Sequence, residues 1–264
     1  MQGDHDFPEW TGRLRREIAG AVAIILKGSH ARGAAGAFSD IDFDVLVEDD
    51  PREDYLAFFE EDGRGRLRHI SVAVQDVTGW LADADEPVSW SYGLPAAETT
   101  RLLWVRDDAM RDCLDRPARL HPPEEPELED FIEAWGKIRN AFARSDDLLM
   151  RISAQKLARL CPTLLRPLNP EVAPANRIEA MRAVLAFPVA PAGYGEDVLR
   201  CSGLVADAVP MPDLHDSAQR LALGTVDLLM EHLDTIGPML PPDLAAALAE
   251  GRLARYIRQT TGEE

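Results

Sequence analysis

One segment near the start of the chain, ILKGSHARGAAGAFSDIDFDVLVED, constrains the fold most. It opens inside a compact apolar run, Ala21 to Gly28 (AVAIILKG), which reads as a buried strand ending in glycine. A glycine at a strand end lets the backbone turn tightly and lets a large anion come close. A helix starting there would present unpaired N–H groups and a positive dipole end to phosphates. Ser29 adds a hydroxyl donor, and His30 or Arg32 can add a cationic contact. Ten residues later, Asp40-Ile41-Asp42 opens a second strand, Ile41 to Val47. Asp40, Asp42 and Asp44 recur at period two, so neighbouring carboxylates of the set project from one face about 7 Å apart. Two hard oxygen donors at that separation can share one or two Mg²⁺ ions, and such ions fill their octahedron with substrate phosphates and water. A hairpin with solvated aspartates leaves unexplained why three carboxylates line a strand otherwise built of Phe43, Val45, Leu46 and Val47.

Around this segment the first hundred residues alternate strand and helix patterns, which argues for a mixed α/β domain at about 1–118. Phe7 to Gly20 has the spacing of a short amphipathic helix, with Trp10, Leu14 and Ile18 on one face. Pro51 to Asp62 reads as a further helix, with Pro in its first turn and Tyr55, Phe58 and Phe59 as its apolar side. Leu67 to Val77 and Thr99 to Val105 read as strands. The proline-rich, acidic stretch Arg116 to Asp130 reads as a linker. Beyond it, Glu127 to Arg159, Arg177 to Leu185, Asp213 to Leu233 and Asp243 to Gln259 show helical spacing, which places a helical domain at about 124–264. Ala190 to Val209 fits no single pattern.

Composition narrows the function classes. With 264 residues, 46% of them hydrophobic and 28% charged, the chain has the ordinary globular balance and no apolar run long enough to span a bilayer. The start, MQGDHDFPEW, lacks the features of a signal peptide, and three widely spaced cysteines suit a reducing cytoplasm. The net charge of −18 disfavours nucleic acid and anionic membranes as partners; it either attracts a cationic small molecule or serves solubility alone. Only Lys27, Lys137 and Lys156 are lysines; all other basic side chains are arginines.

Gly28-Ser29, a spacer, and Asp40-Ile41-Asp42-Phe43 together resemble the signature of the DNA polymerase β-like nucleotidyltransferase superfamily. The extended form GSHARG…SDIDFDVLV is similar to its small antibiotic-modifying and minimal-type members. The resemblance implies an α+β architecture: a small mixed-sheet domain followed by an all-helical C-terminal domain. It implies transfer of a nucleoside monophosphate, AMP from ATP or from another NTP its equivalent, to a hydroxyl of a small, aminoglycoside-like acceptor, with release of pyrophosphate. Gly28, Ser29 and Arg32 would then meet the phosphates, and Asp40 and Asp42 would hold Mg²⁺, two ions in all. Relatives with this layout often dimerise, which makes a homodimer a further implied partner.

The match is incomplete at one position. The superfamily usually supplies a third carboxylate from a neighbouring strand, here HISVAVQ, whose polar face carries His69, Ser71, Ala73 and Gln75 and no acid. His69 is the nearest equivalent by position, Ser71 the next, and Asp76 lies at the strand end. Three readings stay open: His69 fills the place, the base comes from elsewhere while two aspartates hold the metal, or the site is catalytically damaged. In kanamycin-type nucleotidyltransferases, which the layout resembles, a glutamate early in the second domain deprotonates the acceptor. Glu133 or Glu129 would fill that role and Lys137 would reach the triphosphate; equally, Glu133 and Lys137 have the spacing of an i,i+4 pair on a solvated face. Lys27 reads as flanking its strand. Trp80, Trp90 and Trp104 read as packing residues, with Trp90 and Tyr92 the candidates should an acceptor platform exist; His121 reads as exposed and His232 as packed on a helix stripe. The rival functions are a degenerate nucleotide-binding regulator and a transferase acting on a protein or tRNA.

Overall fold

A computed structural model describes residues 7–49, 51, 54–61, 65–85, 100–114, 127–174 and 176–259. Trp90, Tyr92, His121 and most of the stretch Arg116 to Asp130 lie outside the described residues. The chain divides into two compact units, one holding the described residues up to 114 and the other those from 127 onward.

The first unit runs α1 (Phe7–Glu17), β1 (Ala21–Lys27), α2 (Gly28–Ala31), β2 (Ile41–Val47), β3 (Tyr55–Glu61), β4 (Leu67–Asp76), α3 (Val77–Asp85), β5 (Arg101–Val105) and α4 (Asp108–Leu114). The strands form one mixed sheet in the order β3-β4-β2-β1-β5. β2 and β4 are parallel and every other pair is antiparallel. β1 is apolar almost throughout because it is an inner strand with both faces covered. On one face, Ile24, Leu26, Phe43, Val45 and Val72 pack with Trp10 and Leu14 of α1. On the other, Ala23, Ile25 and Leu46 pack with Val77, Trp80, Met110 and Leu114 from α3 and α4. Each fully buried large apolar side chain contributes roughly 1.5–3 kcal/mol. Trp104, expected as packing, is half-buried with the Arg15 guanidinium 4.2 Å from its ring centre.

The segment read as a helix from Pro51 to Asp62 is instead strand β3 over Tyr55–Glu61. Its three aromatic residues fit a helical stripe, but Leu56 and Phe58 alternate with Tyr55 and Phe59, and that period-two pattern decides once β4 offers an open edge. Phe58 then meets the Trp10 ring at 5.5 Å, while Phe59 stays 70% exposed.

The second unit is helical throughout its described residues: α5 (Leu128–Ala143), α6 (Asp147–Leu165), α7 (Arg177–Leu185), α8 (Tyr194–Ser202), α9 (Met211–Glu231), α10 (Leu233–Ile236), α11 (Pro242–Ala249) and α12 (Arg252–Arg258), with two short 3₁₀ turns. The expected helix over Glu127 to Arg159 is two helices. Ser145 adopts φ 55°, and the Asp146 carboxylate caps α6 by accepting from the Leu149 N–H at 3.0 Å. Gly251, at φ +66°, likewise divides the expected helix over Asp243 to Gln259. Phe131, Trp135 and Ile138 of α5 lie in one core with Leu157 of α6 and Leu221 of α9. His232 is not on the packed stripe: it ends α9 and is exposed. No described helix is long and apolar enough to cross a membrane.

Candidate active site

The ladder between β1 and β2 sets Lys27 opposite Asp42 and Ile25 opposite Asp44, so these side chains share one sheet face. On the other side of β2, the parallel register sets Ser71 opposite Asp42 and Ala73 opposite Asp44. That face is covered by α3 and α4 where Ile25 and Leu46 lie. Towards the start of β2 it forms a pocket of about 260 Å³, lined by Lys27, Gly28, Asp42, Asp44, Tyr55 and Ser71 among others.

Gly28 shapes one wall. Its φ of +64° is disfavoured for any residue with a Cβ, and a Cβ there would lie 2.7 Å from Asp42 Oδ2. The absent side chain lets the turn between β1 and α2 close directly over the carboxylate. On the opposite oxygen, Ser71 Oγ donates to Asp42 Oδ1 at 2.6 Å, a short charge-assisted bond. Asp42 is therefore held by one strand neighbour and abutted by a glycine, half-buried. Asp40 precedes β2 and is exposed. Both carboxylates favour the charged form of the His30 imidazole.

His30 itself packs edge-on against Phe7 at 5.7 Å and hydrogen-bonds the Ser39 backbone. Burial, followed by the Arg68 charge, holds its pKa below the ordinary value. Its evident work is to pin the spacer between Ser29 and Asp40. Arg32 ends α2, and its Nε is buried with no hydrogen-bond partner among the described residues.

Asp44 is 2% exposed and is bound from two sides through one oxygen, by Lys27 Nζ at 3.2 Å and by Trp80 Nε1–H at 3.0 Å. Burial pushes its carboxyl pKa up, and the Lys27 charge with the Trp80 bond opposes that shift. Lys27, which the sequence alone presents as flanking its strand, lines the pocket. The signal was present in the antiparallel register of β1 and β2, which places the residue before Gly28 across from the second aspartate of the motif.

His69 lies on the same face of β4 as Ser71 but opposite Phe59, on whose ring it stacks at 4.9 Å. The residue across from Asp42 is thus Ser71, not His69. Asp76 caps α3, accepting from the Gly79 N–H at 2.9 Å. In the second unit, Glu133 and Lys137 are joined to each other on α5, Lys137 Nζ standing 3.0 Å from Glu133 Oε1. Lys156 from α6 adds contacts at 2.5 Å to Asp130 and 3.4 Å to Glu133. Lys137 first, then Lys156, hold the Glu133 carboxyl below its usual range.

Residues 12–84 match a family described as nucleotidyltransferase domain, and residues 127–231 match one described as nucleotidyltransferase, substrate binding domain. The chain carries a DNA polymerase β-like nucleotidyltransferase domain and a substrate-binding domain of the Ant-IIb type. The nucleotidyltransferase match spans α1 to α3, and so includes Gly28, Asp40, Asp42 and Ser71; the substrate-binding match spans α5 to α9. A solved nucleotidyltransferase-like protein from Exiguobacterium sibiricum 255-15 is similar at 13% identity, covering 98% of this chain and 95% of that one with a TM-score of 0.43. No curated protein matches the chain.

Proposed function

We propose that this protein is a Mg²⁺-dependent adenylyltransferase that moves AMP from ATP to a hydroxyl of a small cationic acceptor of aminoglycoside type. The observation that carries this reading is the Asp42 pocket, where a carboxylate fixed by Ser71 lies under the Gly28 turn. In the reaction the acceptor oxygen bonds to the α-phosphorus. The bond from that phosphorus to the α–β bridging oxygen breaks, pyrophosphate leaves with the electron pair, and the acceptor proton passes to a base.

Asp40 and Asp42 would hold the metal, and the donor set fits it. Among the described residues no group of three His, Cys, Asp or Glu converges. The protein would supply two hard carboxylate oxygens and leave the remaining positions to phosphate oxygens and water, the usual arrangement for Mg²⁺. When bound, the ion supplies charge neutralisation and polarisation of the phosphoryl group. The Gly28-Ser29 turn would receive the triphosphate, and the unpartnered Arg32 Nε–H is a donor suited to a phosphate oxygen. In the substrate-binding unit Glu133, with Glu129 one turn earlier, would take the acceptor proton; its lysine partners keep it ionised at neutral pH. Lys137 would meet the triphosphate in this reading. The net charge of −18 supports a cationic acceptor, since such a field raises its local concentration.

A second reading, a nucleotide-binding relative without turnover, is favoured by one observation: Ser71 stands opposite Asp42, and a hydroxyl is not a carboxylate. Calorimetry with ATP and Mg²⁺, followed by pyrophosphate release across a panel of aminoglycosides, separates the two. Release that depends on one acceptor supports the transferase. Binding with no release for any acceptor supports the non-catalytic relative.

A further inference from the structure

We infer that Lys27 is a built-in cation of the reaction pocket that stands in for one divalent ion, so that the site works with a single Mg²⁺. The inference rests on the nucleotidyltransferase reading and deepens it.

Four features point this way. The pocket places one ammonium beside Asp42, since Lys27 is its partner across the β1–β2 ladder and lines the same cavity. Lys27 is also fixed: its Nζ lies 3.2 Å from Asp44 Oδ2, and Asp44 is itself buried and bonded by Trp80 Nε1–H. An ammonium has three donors, and one is committed to Asp44, which leaves others for phosphate oxygens. Third, the carboxylates available to metal are reduced to two. Asp44 shares the face of Asp42, but the oxygen that Lys27 and Trp80 hold would have to give up both donors to reach an ion. Fourth, Ser71 brings a neutral hydroxyl to the position across from Asp42, and that hydroxyl is already donating to Asp42 Oδ1. A second dication would therefore lack a carboxylate of its own, in a place where the protein has already positioned positive charge. A lysine in that place neutralises phosphate charge without the cost of stripping water from another Mg²⁺.

The test uses the full chain with a nonhydrolysable α,β-methylene ATP analogue and Mn²⁺, free Mn²⁺ being read by electron paramagnetic resonance. One bound Mn²⁺ per nucleotide-bound chain is expected; two would overturn the inference and leave the nucleotidyltransferase reading standing. If the wild-type chain bound neither the analogue nor Mn²⁺, both would fall together. The second arm replaces the charge pair as a unit, Lys27→Met with Asp44→Asn. No lone charge is then left buried, and Trp80 keeps an acceptor. Affinity for the Mn²⁺–analogue complex should drop roughly tenfold or more, while Lys27→Arg should stay within about threefold because the charge is kept. Unchanged affinity in the double variant, or an equal loss in Lys27→Arg, would contradict a role for the charge.

Discussion

At Gly28 two constraints coincide, a left-handed φ of +64° and an Asp42 oxygen 2.7 Å from where a Cβ would stand. Gly28→Ala should lower stability by about 1–2 kcal/mol through backbone strain and cut nucleotidyl transfer roughly 100-fold by displacing the carboxylate. Denaturant titration and a pyrophosphate assay read the two effects separately; a variant with unchanged turnover would show that the close approach is incidental. His30 sets a pH dependence. Burial depresses its pKa below 6.5, so below that pH the unfolded chain binds a proton that the folded chain resists. This contribution to stability is complete above pH 6.5 and is lost as the pH falls through the depressed folded value. The thermal midpoint of the wild type should decline on acidification below that point more steeply than that of His30→Gln; parallel declines would remove His30 from the account. The residues legible in sequence were those whose chemistry is local. Gly28, Asp40 and Asp42 lie within one strand–turn–strand segment. Ser71 acquires its place from the parallel register of β2 and β4, which no single segment encodes, and Lys27 lies in the strand–turn–strand segment but takes its place from the pairing of β1 with β2.

The strands and helices show the same division between local and non-local information. β1, β2, β4 and β5 fall where apolar runs predict them, because each buries at least one apolar face against the helices of its unit. β3 reads as a helix in sequence because both of its faces carry aromatic residues, Tyr55 and Phe59 on the exposed one and Phe58 on the other, and the spacing of YLAFFEE satisfies a helix period as well as a strand period. Its ladder with β4 resolves the ambiguity by turning Phe58 onto Trp10, with the Arg13 guanidinium 4.9 Å from its ring, and Phe59 outward. Phe58→Ala should therefore cost about 2–3 kcal/mol and Phe59→Ala under about 1 kcal/mol in chemical denaturation. Equal costs would speak against the register. In the helical unit, Ser145-Asp146 was a stop-and-cap signal hidden inside a long periodic stretch, and the apolar spacing on either side masked it.

At the scale of the molecule, a domain with the nucleotidyltransferase fold is joined to a substrate-binding domain, in a chain of net charge −18. The α+β architecture and the change from mixed sheet to helices were legible, since periodicity switches after the proline-rich stretch. The proposed function requires that transfer depend on the Asp42 carboxylate. Asparagine in its place keeps the size and a hydrogen bond to Ser71 but removes the charge. With α-labelled ATP, Mg²⁺ and a cationic acceptor, the wild type should transfer label to the acceptor, and Asp42→Asn should lose at least roughly 1,000-fold of that rate with its thermal midpoint little changed. Transfer by Asp42→Asn at a rate within tenfold of the wild type would contradict the account.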